Sequence, residues 1–215
     1  DIVSIFSSAL VGGELEQFDF GEAHGFSIIS YLLYTSDPKQ ATYDLYLSFY
    51  SMMKILVLDE VKKELFTEIL LNFDIFIPSK DHLKILEHWD NVLFVEFESL
   101  FREHFTFSYL MDALRIYYWY EPIEKAKIRG EPGSQRSRNK DLDVSQCRLI
   151  LFNILLKLNI RNEDFSGLIE HVIATEDQKQ KLDLLLFIAR LATSQHCPLK
   201  NLSNAIPSVS RLSSM

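Results

Sequence analysis

Between Phe26 and Arg129 the chain has no glycine, and only Pro38, Pro78 and Pro122 interrupt that stretch. Tight hairpins, left-handed turns and close backbone approaches draw on glycine. A sandwich or barrel punctuated by such turns therefore does not fit here. Nor does a phosphate-cradling loop, since no GxGxxG or GxxxxGK run occurs. The whole chain holds 7 Gly and 6 Pro in 215 residues, against roughly 7% and 5% in an average protein. What remains is a chain that turns rarely and keeps its backbone hydrogen bonds local, which means helices.

Apolar residues recur at three- and four-residue spacing along most of the length. The pattern predicts helices over 22–34 (Phe26, Ile29, Leu32, Leu33), 39–58 (Tyr43, Tyr46, Leu47, Tyr50, Met53), 60–73 and 79–104. In the last of these, Leu83, Leu86, Trp89, Leu93, Phe94, Phe97, Phe101 and Phe105 make the stripe, although Val92–Glu98 is β-branched and aromatic enough for a strand. Residues 74–78 read as extended, because the residue before a proline is pushed out of the helical region. Further helices are expected over 106–120, 144–158 (Leu149, Phe152, Leu155, Leu156), 164–175 and 176–193 (Leu182, Leu185, Leu186, Ala189, Leu191).

This predicts an all-α chain of about eight helices with helix pairs about every 40 residues, as in armadillo/HEAT-like α-solenoids. Residues 1–120 and 144–197 are expected to be two parts of one solenoid. Between them, 121–143 reads as a flexible basic linker, and 198–215 as a weakly ordered tail. The opening Asp1-Ile2-Val3-Ser4 lacks a methionine and a basic leader, as expected of a segment within a longer protein. Cys147 and Cys197 do not make a disulfide framework, so a reducing, intracellular setting is expected.

Net charge is −8, unevenly spread. Residues 1–124 carry 21 Asp/Glu against 8 Lys/Arg, whereas 125–140 carry 6 basic residues against 1 acidic. Such an acidic body is a poor nucleic-acid binder. The basic set, Lys125, Lys127, Arg129, Arg136, Arg138 and Lys140, reads either as a solvated loop or as a contact for an anionic membrane or acidic partner. Phosphorylation of Ser134 or Ser137 would weaken such a contact.

No HExxH, HxxxH or CxxC occurs, so no metal or other cofactor and no enzymatic activity is expected. The six histidines read as solvated or helix-terminal, and His196-Cys197 as a chance neighbour pair. Glu98 is placed to pair with Arg102 at i,i+4. Asp112 and Arg115, one turn apart, read as a polar clamp between helices. The aromatic residues read as packing between helices, or else as an exposed surface for a partner, in which case Tyr118, Trp119 and Tyr120 are the ones outside the core.

One stretch is more specific. Leu70-Leu71-Asn72-Phe73-Asp74-Ile75-Phe76, then Phe101-Arg102, then Tyr109-Leu110-Met111-Asp112-Ala113-Leu114-Arg115-Ile116-Tyr117-Tyr118 resemble the helical region of the BEACH-domain proteins, the neurobeachin and beige group. Gly25 to Leu33 is similar to that family's preceding helix, and the likeness runs over about 22–191, as in a divergent relative of fungal type. Thr106 stands where the family tends to have glycine, and Glu103-His104 where it has a basic pair. The resemblance implies an armadillo-like α-solenoid upstream of a PH-BEACH module, within a cytoplasmic scaffold of vesicle or lysosome-related trafficking. It implies protein partners from that machinery, or neighbouring domains of the same chain, and a place beside endosomal or vesicle membranes. It transfers no catalytic residue.

Overall fold

The computed structural model describes residues 8–10, 13–118, 138–158 and 162–193. Among these there is no strand, and there are twelve α-helical segments. Contacts divide the chain into two compact units, Asp1–His104 with Pro132–Asp143, and Phe105–Glu131 with Val144–Met215.

Unit 1 runs α1 (Glu14–Glu22), α2 (Gly25–Thr35), a 3-10 turn (Pro38–Gln40), α3 (Tyr43–Ile55), α4 (Asp59–Leu65), α5 (Phe73–Phe76), α6 (His82–His88), α7 (Phe94–Glu96) and α8 (Glu98–His104). Two of its helix starts, those of α3 and α5, are capped by short polar side chains that satisfy orphan N–H groups. Thr42 accepts from Leu45 N at the head of α3, and Asn72 accepts from Asp74 N at the head of α5. α4 and α6 each run on into a π-helical turn, Phe66–Leu70 and Trp89–Leu93. Each turn buries an aromatic ring, Phe66 or Trp89, completely. Around them Phe73, Phe76 and Phe101 are also buried, and Phe73 meets Trp89 edge-on at 5.1 Å. Burying a side chain of this size stabilises by about 1.5–3 kcal/mol, so these rings dominate the unit.

The twelve segments exceed the eight expected because α1 precedes the first expected helix, α5 forms in the stretch read as extended, and 79–104 holds three helices rather than one. Phe97 leaves the helical region (φ −126, ψ 42) and separates α7 from α8. Val92–Glu98 is nonetheless helical apart from that break, not a strand. The extended reading of 74–78 is also corrected. Ile77, directly before Pro78, is right-handed helical (φ −57, ψ −33), and its N–H bonds to Phe73 O at 2.8 Å. Phe73, Ile75, Phe76 and Ile77 are all buried, and that burial outweighs the local steric preference.

A buried glutamine ties the start of this unit together. Gln17 Nε2 donates to Leu10 O at 2.8 Å, and its Oε1 accepts from Val57 N and Leu58 N at 2.8 and 3.1 Å. At the other end, 138–143 folds as a turn in which Asn139 N–H donates to Ile77 O at 3.2 Å.

Unit 2 contains α9 (Phe107–Tyr117), α10 (Val144–Lys157), α11 (Asn162–Ala174) and α12 (Gln178–Thr193). Thr106 caps α9 by accepting from Tyr109 N, a use for a hydroxyl where a glycine was expected. α9 packs on α10 and α11, and α11 on α12. Phe152 stacks on Phe187 at 4.8 Å and 15°, joining α10 to α12.

Two expected stripes are met only in part: Phe152 and Leu155 of α10 and Leu191 of α12 are buried as expected, but other members are not. In α10 the buried set includes Cys147, Arg148, Leu151, Phe152 and Leu155, while Leu149 is exposed. In α12 Gln180, Leu184, Phe187 and Leu191 are buried, while Leu182, Leu185 and Leu186 are exposed. Leu32 of α2 is likewise exposed. Tyr118 is fully buried, as packing between helices requires, while Trp119 and Tyr120 lie outside the described residues. His82 and His88 stand at the two ends of α6, helix-terminal as expected, but buried.

Candidate functional site

Two polar networks stand out, one in each unit. In unit 1, His88 Nδ1 lies 3.1 Å from Tyr46 Oη, and the Tyr50 ring meets the imidazole edge-on at 4.6 Å. Tyr50 Oη donates to Glu96 Oε2, which also receives Lys54 Nζ at 3.2 Å, and Lys54 sits over the Tyr50 ring at 4.4 Å. Burial pushes the Tyr46 phenol well up and the His88 imidazole down, so both are neutral at pH 7. The hydrogen bond from Tyr50 holds the Glu96 carboxyl low. The chain of contacts ties α3 to α6 and α7. Beside it an open depression of about 260 Å³ is lined by Tyr43, Lys84, Glu87, His88, Asn91 and Val92.

In unit 2, Arg148 is almost fully buried. Its Nη1 donates to Tyr118 O at 3.0 Å, at the C-terminal end of α9, and its Nε to Asp183 Oδ2 at 3.1 Å on α12. The guanidinium lies 5.6 Å from the Phe152 ring centroid. A planar, always charged fork suits this task, since it can cap a helix end and pair a carboxylate at once. The Arg148 charge also reaches His171 of α11, whose imidazole is pushed down, mainly by burial.

On the outside of the same unit, α10 and α12 show solvent an apolar face. Leu149, Leu182, Leu185 and Leu186 are between 43% and 55% exposed. An open groove of about 260 Å³ beside them is lined by Leu149, Phe152, Leu186 and Phe187, with Lys179 and Arg190 also along it.

Of the six basic residues singled out in the sequence, Lys125, Lys127, Arg129 and Arg136 lie outside the described residues, as do Ser134, Ser137, His196 and Cys197. Arg138 is partly buried and Lys140 exposed, both in the 138–143 turn of unit 1. Glu98 and Arg102 do pair, at 2.8 Å. Asp112 Oδ1 and Arg115 Nη2 approach to 3.5 Å along α9, each a little over half exposed. The buried arginine that bonds other helices is Arg148. Its signal was present in the sequence, because Arg148, Leu151, Phe152 and Leu155 follow helical spacing.

Among the described residues no group of His, Cys, Asp and Glu is arranged to hold a metal, and no helix is long and apolar enough to cross a membrane. No curated protein and no solved structure matches the chain. One family does, over residues 1–212, described as Neurobeachin/BDCP, DUF4704 alpha solenoid region. With helices throughout the described residues and that match along nearly its whole length, the chain belongs to the Neurobeachin/BDCP alpha solenoid family.

Proposed function

We propose that this solenoid is a non-enzymatic scaffold segment of a BEACH-type protein, and that it holds trafficking proteins or neighbouring domains of its own chain at vesicle or endosomal membranes in the cytoplasm. The observation that carries this reading is the leucine face of α10 and α12. Four leucines there are left about half exposed beside an open groove, and contiguous apolar surface of that kind marks contact with another protein. The polar networks suit the same role, since both spend their hydrogen bonds on joining helices. The test is proximity labelling with the intact parent protein in cells. Leu182→Asp with Leu186→Asp is expected to remove a defined subset of neighbours. An unchanged neighbour set, with the protein folded and equally abundant, refutes the reading.

A second reading rests on the net charge of +5 within 125–140. Six basic residues near an anionic bilayer would each contribute about 1 kcal/mol, enough for reversible, salt-sensitive attachment. Co-sedimentation with phosphatidylserine vesicles tests it. Neutralising Lys125, Lys127, Arg129, Arg136, Arg138 and Lys140 together is expected to abolish binding, and persistence of binding rejects it.

A further inference from the structure

The α1–α2 pair of unit 1 carries a second apolar face, and the charges on these two helices are of one sign. α1 and α2 are joined by Ala23 and His24, and both lay their inner sides on α4. A Cβ on Gly21 would stand 3.0 Å from Val61 Cγ2, and Ser27 donates through its N–H and its hydroxyl to Glu64 Oε1. Their other sides meet solvent. There Leu15 and Phe18 of α1, and Ile28, Tyr31 and Leu32 of α2, are 54–70% exposed. Each set follows helical spacing, so each makes a ridge along its helix.

The charges that these two helices carry are all negative. Residues 1–38 contain no Lys or Arg, and α2 has no charged residue. α1 contributes Glu14, Glu16, Asp19 and Glu22, all exposed. The lysines of the underlying helix are already engaged, Lys62 with Asp59 and Lys63 with Glu103. An apolar face with an anionic rim selects a helix with an apolar stripe and cationic flanks, and repels anionic lipid.

We infer that the outward face of the α1–α2 pair docks a cationic amphipathic helix of a partner protein. This extends the scaffold reading to a second surface, remote in sequence from the leucine face of α10 and α12.

The test uses the full chain and two synthetic helical peptides with the same leucine face, one flanked by Lys and Arg and the other by Glu, read by fluorescence anisotropy. The cationic peptide is expected to bind, more weakly as salt rises, and the anionic one at least about tenfold more weakly. Phe18→Asp with Leu32→Asp is expected to cost the cationic peptide about tenfold or more, while Leu186→Asp leaves its affinity unchanged. A second variant, Glu14→Gln, Glu16→Gln, Asp19→Asn and Glu22→Gln, keeps the apolar face and is expected to remove the salt dependence. Equal binding of both peptides, or indifference to both variants, overturns the inference. So does a dimer of this chain in sedimentation that Leu32→Asp dissociates, because a second copy then covers the face. Loss of the effect with Leu186→Asp alone assigns the peptide to the unit 2 surface and also overturns it.

Discussion

Replacing Arg148 by methionine isolates what a buried charge does in unit 2. Methionine retains much of the apolar stem and removes the fork. Two hydrogen bonds go, of unequal weight. Tyr118 is fully buried, so its carbonyl loses a donor at 3.0 Å where water does not easily replace it, at a cost of about 1–3 kcal/mol. Asp183 is 26% exposed, so solvent can partly rehydrate its carboxylate, and that loss is nearer 1 kcal/mol. Together the change is about 2–4 kcal/mol, or roughly 10–20 °C in Tm for a unit of this size. Thermal melts of the full chain by circular dichroism supply the number, and hydrogen exchange supplies the place. Protection should fall in α9, α10 and α12 and hold in α3. Asp183→Asn should cost less than Arg148→Met, and the double variant less than the sum of the two. A Tm change under about 3 °C for Arg148→Met, or a larger one for Asp183→Asn, would refute the reasoning.

Acid should destabilise the fold. Burial holds His82 down at about 3 and also lowers His88, His104 and His171. The unfolded chain therefore binds more protons below about pH 6.5, and stability falls with pH from there toward 3, by up to about 1.4 kcal/mol per pH unit for His82. Glu96 and Glu103, held low by bonds from Tyr50 and Lys63, act in the same direction at lower pH. Urea titrations from pH 7 to pH 4.5 check this, and a flat profile contradicts it. Gln17→Leu removes the donor to Leu10 and the acceptor for Val57 and Leu58, and should cost about 2 kcal/mol in the same assay. His24 sits in the left-handed region (φ 50, ψ 48), so His24→Gly should gain up to about 1 kcal/mol, and a loss would argue against that strain. Arg115→Ala breaks only a half-exposed pair and should shift stability by less than about 1 kcal/mol.

Helix identity was legible because a 3.6-residue period survives without knowledge of what the helix packs against. Trp89, Leu93, Phe94 and Phe101 were readable as core on that basis, and they are buried. Which face is buried was less legible wherever leucines populate several faces. In α12 the exposed Leu182, Leu185 and Leu186 equal in number the apolar residues that turn inward, Leu184, Phe187 and Leu191, and nothing local distinguishes the two sets. The orientation of α10 follows from long-range bonds instead, since Arg148 must reach Tyr118, 30 residues away, and Asp183, 35 residues away. The same holds for His88, whose burial depends on Tyr46, 42 residues distant. The acidic bias of residues 1–124 was readable from the sequence, but its meaning at α1 needed the exposed ridges of α1 and α2 beside it.

The two units are interlaced along the chain. The first passes to the second after His104, and the described residues 138–143 belong to the first again before α10 resumes the second. A single cut between residues 119 and 131 would therefore not separate them. One piece would own most of unit 1 together with α9, and the other would own α10 to α12 together with the 138–143 turn that bonds Ile77. Each piece would hold a part that the other needs, which is the condition for fragment complementation. Two such halves, expressed separately, should find each other and report the fold by reassembling.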